Sequence, residues 1–337
     1  MERSGIIAGG NWLIDHVKVI DAWPEQDSIA TILEQSWGNG GGPYNVLKNL
    51  AKLGAGFSLE GIGLVGEDAS GERIREDCRG HGIDVRQLRA TLEAPTSFTD
   101  VMTVATTRRR TFFHQRGANA LLAPEHFDFS ATRAKWFHLG YLLLLDGLDA
   151  LDAAGKPRAL EVFRRAREAG LKTSLDCVSD GGGRFQSVVA PVVADVDVLF
   201  ANDFEAEQLT GLMLGRGETL RRDAIVEAGG LLLGRGVREW VVIHCPEGVC
   251  ACGANGETIW QPSVRMPAEE IAGTAGAGDA LAAGVLMMLH DGGGMEAALR
   301  LGVCAAAASL RHPTCSNAVE AAASCLRLGE RFGFYGR

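Results

Sequence analysis

No stretch of this 337-residue chain is apolar for long enough to cross a bilayer, and the run around Val285–Leu289 falls far short of the roughly 20 residues a span needs. The opening residues, Met1-Glu2-Arg3-Ser4-Gly5, put no long apolar run behind a basic start, as an export signal would. Positive charge is in deficit. With 33 Lys and Arg against 42 Asp and Glu, the net charge of -9 argues against a general nucleic-acid or anionic-membrane surface. A local cluster such as Arg108-Arg109-Arg110 can still hold one small anion. The eight cysteines have no framework spacing, which predicts reduced core thiols. Cys245, Cys250 and Cys252 lie around an expected strand without paired C-x-x-C spacing, so no structural zinc is expected. These absences predict a cytoplasmic protein. What is present, 46% apolar and 22% charged residues, suits a soluble globular enzyme with a sizeable core, as one large α/β domain or two ordinary ones.

Short apolar runs alternate with amphipathic stretches. Phe57–Leu64, Trp136–Leu139, Thr173–Asp176, Val196–Ala201 and Glu239–His244 read as strands, and Pro157–Ala169 and Phe204–Leu209 as helices between them. Such alternation predicts an α/β fold with a mostly parallel sheet covered by helices on both faces. Ligands of these sheets bind beyond the carboxyl ends of the strands, where Asp176, Asn202 and the turn at Gly276 should emerge. Residues 12–37 and 96–115 break the pattern. They look like extended hairpin material, expected either as a small separate β-sheet forming a lid or as an antiparallel edge on the main sheet.

The most informative segment is Gly273-Thr274-Ala275-Gly276-Ala277-Gly278-Asp279, which opens directly into the apolar helix from Ala280 to Leu289. Glycines allow a tight turn and leave no Cβ against a ligand, and the free N–H groups of the helix start favour a phosphate or oxyanion. A carboxylate there repels a phosphate but is well placed to take a proton from a hydroxyl attacking it. The plain alternative is a Gly-rich loop with Asp279 as a helix cap. Asn202 and Glu205, taken alone, read as a helix start with an acid at its third position.

Motifs in a fixed order then carry a family resemblance across nearly the whole chain. Gly40-Gly41-Gly42-Pro43-Tyr44-Asn45-Val46 and Leu50-Ala51-Lys52-Leu53-Gly54-Ala55 resemble the N-terminal signature of the ribokinase-like, phosphofructokinase-B family of carbohydrate kinases. Gly61 to Asp68, Gly71 and His81-Gly82-Ile83-Asp84 follow in the family's order. Asn202-Asp203-Phe204-Glu205 resembles its Asn-x-x-Glu motif and Gly276-Ala277-Gly278-Asp279 its Gly-Ala-Gly-Asp motif. The resemblance implies a three-layer ribokinase-like fold over residues 1–337, with the lid segments inserted, and transfer of the γ-phosphate of ATP to a primary hydroxyl of a sugar or nucleoside. It implies Asp279 as general base, with Gly276, Ala277 and Gly278 forming the anion hole. Asn202 and Glu205 match the residues that organise phosphate and Mg²⁺, the metal through water at Glu205. Asn11, Asp15, Gly40, Gly41 and Asn45 fall where the family binds substrate hydroxyls.

The chain departs from the family at three places. Gly273 stands where an Asp is usual, and Ala275 where Thr or Asn is frequent, which counts against activation by a monovalent cation. Ile243-His244-Cys245-Pro246-Glu247-Gly248 replaces the usual Thr-Leu-Gly strand end, so adenine contacts do not transfer. Arg108, Arg109, Arg110 and Arg116 flank the lid strand Thr111-Phe112-Phe113-His114, and a phosphorylated or carboxylated sugar would give one of them, Arg110 foremost, a partner. Trp12, Trp23 and Trp37 are expected in or beside the lid, through which a homodimer could also form. Two other readings remain open: a sugar-binding sensor without turnover, and, from the literal G-x-G-x-x-G of residues 61–66, an NAD-dependent dehydrogenase.

Overall fold

The computed structural model describes residues 3–107 and 109–336. Among these, the chain runs β1 (Ile6–Gly10), β2 (Leu13–Ile20), β3 (Ile32–Gly40), α1 (Gly42–Leu53), β4 (Leu59–Gly66), α2 (Ala69–Gly80), β5 (Ile83–Thr91), β6 (Ser97–Val104) and β7 (Arg110–Gln115). It continues through β8 (Trp136–Leu142), α3 (Asp146–Asp149), α4 (Ala159–Glu168), β9 (Lys172–Cys177), β10 (Val198–Asn202), α5 (Asp203–Thr210) and α6 (Arg222–Gly234). The last elements are β11 (Trp240–Cys245), β12 (Gly248–Gly253), β13 (Thr258–Pro262), α7 (Ala277–His290), α8 (Met295–Ser309) and α9 (Ala322–Phe332).

Nine strands form one sheet in the order β13-β12-β11-β10-β9-β8-β1-β4-β5. From β11 to β5 neighbouring strands are parallel, and β12 and β13 add an antiparallel edge. Side chains alternate between the two faces of a strand, and both faces here are apolar. Ile6, Val198, Phe200 and Val242 enter one core with residues of α1, α7 and α8, while Ile7, Leu199, Ala201 and Ile243 enter the other with residues of α4 and α6. The result is three layers.

The extended material at 12–37 and 96–115 forms a separate four-stranded sheet, β3-β2-β6-β7, rather than an edge of the large one. Asp15 lies opposite Thr99, and Thr99 opposite His114, so Asp15, His114 and, four residues before it, Arg110 share one face. Of the three tryptophans expected in or beside this sheet, Trp12 stands one residue before β2 and turns inward. Its ring is fully buried in the large core, stacked on Tyr44, and its Nε1 donates to Ile62 O at 2.7 Å. A Cβ on Gly61 or Gly63 would lie 2.8 or 2.2 Å from the Trp12 ring. The glycines of residues 61–66 therefore make room for an indole in mid-strand β4, which overturns the dinucleotide-turn reading: that turn must open a helix.

Among the described residues no helix is long and apolar enough to cross a membrane. All eight cysteines are buried and free.

Candidate active site

The carboxyl ends of the central strands converge on one polar region beneath the smaller sheet. Asn11 follows β1, Tyr141 lies near the end of β8, Asp176 near the end of β9, Asn202 ends β10 and His244 lies near the end of β11.

Gly276 caps α7 with φ 76°, and a Cβ there would lie 2.5 Å from Cys315 Cβ, so only glycine fits both the conformation and the space. No side chain caps α7, which leaves the first-turn amides of Ala277 and Gly278 for a ligand. Asp279 is the third residue of the helix and does not cap it, contrary to the plain alternative. Its Oδ1 accepts from the Tyr141 hydroxyl at 2.6 Å and its Oδ2 from Asn45 Nδ2 at 2.8 Å. Burial pushes its carboxyl up to about 6, and the two hydrogen bonds restrain that rise. The carboxylate is thus ionised near neutral pH yet basic enough to accept a proton.

Four further sequence candidates surround it. Asp15 is pushed up to about 7 by burial, and its Oδ2 accepts from the Cys315 thiol at 3.5 Å. A Cβ on Gly40 would lie 2.6 Å from the Asp15 carboxyl, and one on Gly41, whose φ is 89°, 2.2 Å from Asn11 O. Both glycines let the start of α1 press against these residues. Asn45 Oδ1 accepts from Asn39 Nδ2 at 2.6 Å, which fixes its amide so that the NH₂ faces Asp279. Asn11 is occupied otherwise: its Oδ1 accepts from Tyr141 N, and its Nδ2 reaches Leu144 O at 3.5 Å. It braces the end of β8.

Asn202 and Glu205 close a reciprocal cap on α5. Asn202 Oδ1 accepts from Glu205 N and Glu205 Oε2 from Asn202 N, both at 2.9 Å. Ser179 Oγ donates to Glu205 Oε1 at 3.0 Å. Burial, with Asp203 and Asp279 nearby, pushes the Glu205 carboxyl up to about 7, and burial with Glu205 and Asp279 raises that of Asp176 well above its ordinary value. Two buried acids that each disfavour ionisation suit a divalent cation, and all the donors are hard oxygens. Among the described residues no group of three or more His, Cys, Asp or Glu side chains gathers as a metal cage. The donor set fits a Mg²⁺ ion that keeps its water, not one held by protein alone.

The basic residues separate clearly. Arg108 lies outside the described residues, and Arg109 is exposed in the β6–β7 turn. Arg116 pairs with Asp146 at 2.9 Å. Arg110 is half-buried, donates to Thr274 Oγ1 of the glycine-rich loop, and lies near Asp15 and Cys315. Gly273 packs on the 310–313 turn, its N–H donating to Leu310 O at 3.1 Å, and brings no carboxylate to that loop.

Tyr141, Cys315 and His244 were missed by sequence reasoning. The ring of His244 lies 3.4 Å from where a Gly278 Cβ would be, and burial pushes it down to about 4, so it is neutral. In the sequence its segment stands out only as a departure from the family pattern. Cys315 sits 300 residues from Asp15, a contact without local signal.

The family model of pfkB family carbohydrate kinases matches residues 10–322, and the chain belongs to that family. It is a carbohydrate kinase, phosphorylating a sugar at the expense of ATP, which sets aside the sensor reading. It is 29% identical over 324 residues to an ATP-dependent ribose-1-phosphate kinase of Halopiger xanaduensis, covering 96% of each chain. It is 25% identical to the ketohexokinase of Mus musculus, covering 90% of this chain and 94% of that one. The fold matches Arabidopsis thaliana ribokinase complexed with ribose and ATP, with a TM-score of 0.77 at 21% identity over 97% of this chain and 99% of the other.

Proposed function

We propose that the chain transfers the γ-phosphoryl group of ATP to a hydroxyl of a phosphorylated sugar, with Asp279 as general base. The observation that carries this reading is the pairing of an uncapped helix start with a buried carboxylate gripped by Tyr141 and Asn45. Asp279 accepts the proton of the sugar hydroxyl as its oxygen forms a bond to the γ-phosphorus. The bond from that phosphorus to the bridging oxygen breaks and ADP leaves. The amides of Ala277 and Gly278, with Gly276 permitting the turn, take up charge on the transferred group. Asp15, Gly40, Gly41 and Asn45 line the sugar side, and Asn11 holds the end of β8 in register. Asn202, Glu205 and Asp176 would hold Mg²⁺ through water; when bound, it offsets phosphate charge. With no carboxylate at Gly273, monovalent-cation activation is expected to be weak.

Arg110 supports the anionic substrate. It has no carboxylate within ion-pair distance among the described residues, although it is half-buried and shares a face with Asp15. A guanidinium so placed gains most from a substrate that brings its own charge. The Halopiger relative named for ribose-1-phosphate agrees with this choice. Arg110→Gln is expected to raise KM for a sugar phosphate about 30-fold, the loss of one charge-assisted contact of about 2 kcal/mol. KM for the unphosphorylated sugar should change little. Steady-state kinetics with ribose 1-phosphate and ribose test this, and an equal effect on both sugars would remove the anionic-substrate reading.

The smaller sheet acts as a lid that keeps water from the γ-phosphate. Trp23 and Trp37, each half-exposed, are its fluorescence reporters. Phe113 and Ile32, on the same face as Trp37 and away from Asp15, also leave about half of their surface exposed. A second copy of the chain is the proposed cover. Light scattering is expected to give a dimer that Phe113→Asp with Ile32→Asp converts to monomer; a wild-type monomer contradicts it. The reduced, buried thiols suit the cytoplasm.

A further inference from the structure

Asp279 is held by more than its own helix. Tyr141, from β8, donates its phenolic proton to Oδ1 at 2.6 Å, and Asn45, from α1, donates to Oδ2 at 2.8 Å. The Asn45 arm is fixed from behind, because Asn39 Nδ2 donates both to Asn45 Oδ1 at 2.6 Å and to Ser316 Oγ at 2.9 Å. The Tyr141 backbone is fixed as well, its N–H donating to Asn11 Oδ1. A carboxylate gripped at both oxygens cannot rotate, and each oxygen keeps a second lone pair for a substrate hydroxyl.

We propose that Tyr141 is a positioning residue for phosphoryl transfer, which holds the Asp279 carboxylate in its reactive orientation and in its ionised form. The proposal rests on the reading of Asp279 as the base. The need for such a donor follows from the surroundings. Asp15 from β2, Asp176 from β9 and Glu205 from α5 are acids facing the same region, and Cys315 approaches from the loop after α8. Arg110 from β7 is the nearby cation, and it lies on the Asp15 side. Burial therefore opposes ionisation of Asp279, its charge in turn disfavours ionisation of Asp15, Asp176 and Glu205, and hydrogen bonds to its charged form are what favour it. Tyr141 can serve as donor throughout the working range, because burial and Asp279 itself hold its phenol well above the ordinary tyrosine range.

The test is a pair of titrations on the full chain. The Asp279 carboxyl is followed directly by carbon-13 NMR of aspartate-labelled protein, assigned by its absence in Asp279→Asn, and kcat is measured against pH with saturating ATP, Mg²⁺ and sugar. In Tyr141→Phe, both the carboxyl midpoint and the acidic limb of kcat are expected to move up by about one pH unit, as loss of a hydrogen bond to a charged group implies. KM for ATP should stay within about twofold of wild type, since the lost contact is to the base and not to the nucleotide. Site-specific 3,5-difluorotyrosine at position 141, a stronger donor that keeps the phenol, should move both values downward; it also carries the test should the Phe variant fold poorly. An unchanged carboxyl midpoint in the variants overturns the proposal, as does a uniform loss of kcat at all pH values. A midpoint that moves while the kcat limb stays in place upholds the contact but overturns the reading of Asp279 as base.

Discussion

Asp279→Asn will fold, bind ATP and fail to transfer the phosphoryl group, with kcat reduced roughly 10²–10⁴-fold. Folding should survive because the side chain caps nothing: the start of α7 has no side-chain cap, and an amide of the same size can still accept from one of Tyr141 and Asn45. The mismatch at the other oxygen costs about 1–3 kcal/mol, a tolerable fraction of a typical domain's stability. ATP affinity should hold or tighten, since a negative charge beside the phosphates is gone. The pH profile supplies a second readout. With its carboxyl at about 6, wild-type Asp279 takes up a proton as pH falls through that value and ceases to be a base, so kcat should decline on the acid side. The residual rate of the variant should lack that limb. Isothermal titration with an ATP analogue, thermal melting and kcat against pH separate these outcomes.

Gly276→Ala has the second large effect, for a different reason. The left-handed φ of 76° costs an alanine roughly 1–2 kcal/mol, and its methyl would lie 2.5 Å from Cys315 Cβ, closer than any real contact. The turn must then shift, carrying the amides of Ala277 and Gly278 with it. Loss of oxyanion donors typically costs on the order of 10²–10³ in kcat. We expect a loss of that size together with a lowered melting temperature, measured by turnover and calorimetry. Cys315→Gly in the same chain removes the nearest atom but leaves Cys315 Cα at 2.8 Å and the left-handed backbone strain, so it should recover part of the stability and little activity. Wild-type turnover in the single variant would mean that these amides do not serve the reaction.

How far the sequence speaks for itself varies with the range of the contacts. Apolar strands such as β10 and β11 could be read within a residue or two, because a strand buried on both faces must be apolar throughout. The glycine-rich turn before α7 was equally clear, since its backbone requirements are local. That the Trp12 ring turns inward beside the smaller sheet had no local signal, because its environment is set by Gly61 and Gly63, some fifty residues away, whose missing side chains open a slot for the indole. The local pattern at Asp279 left a base and a helix cap both open, for a similar reason. Its partners, Asn45 and Tyr141, are 234 and 138 residues distant, and no local pattern announces a hydrogen bond across the sheet. Asn202 and Glu205 obey both readings at once: they cap α5 and stand beside Asp176 at the strand ends. The same geometry that caps the helix is the one proposed above to hold a water-bound cation.

The central claim is tested most directly by phosphorus-31 NMR of the purified chain turning over ATP with Mg²⁺ and ribose 1-phosphate, with ribose, fructose and a nucleoside in parallel. The account predicts stoichiometric loss of the γ-phosphate signal, formation of ADP, and a new phosphomonoester resonance on the sugar phosphate, all absent with Asp279→Asn. ADP and free inorganic phosphate without a sugar ester, or no loss of ATP with any of these acceptors while the sugars still raise the melting temperature, would contradict it.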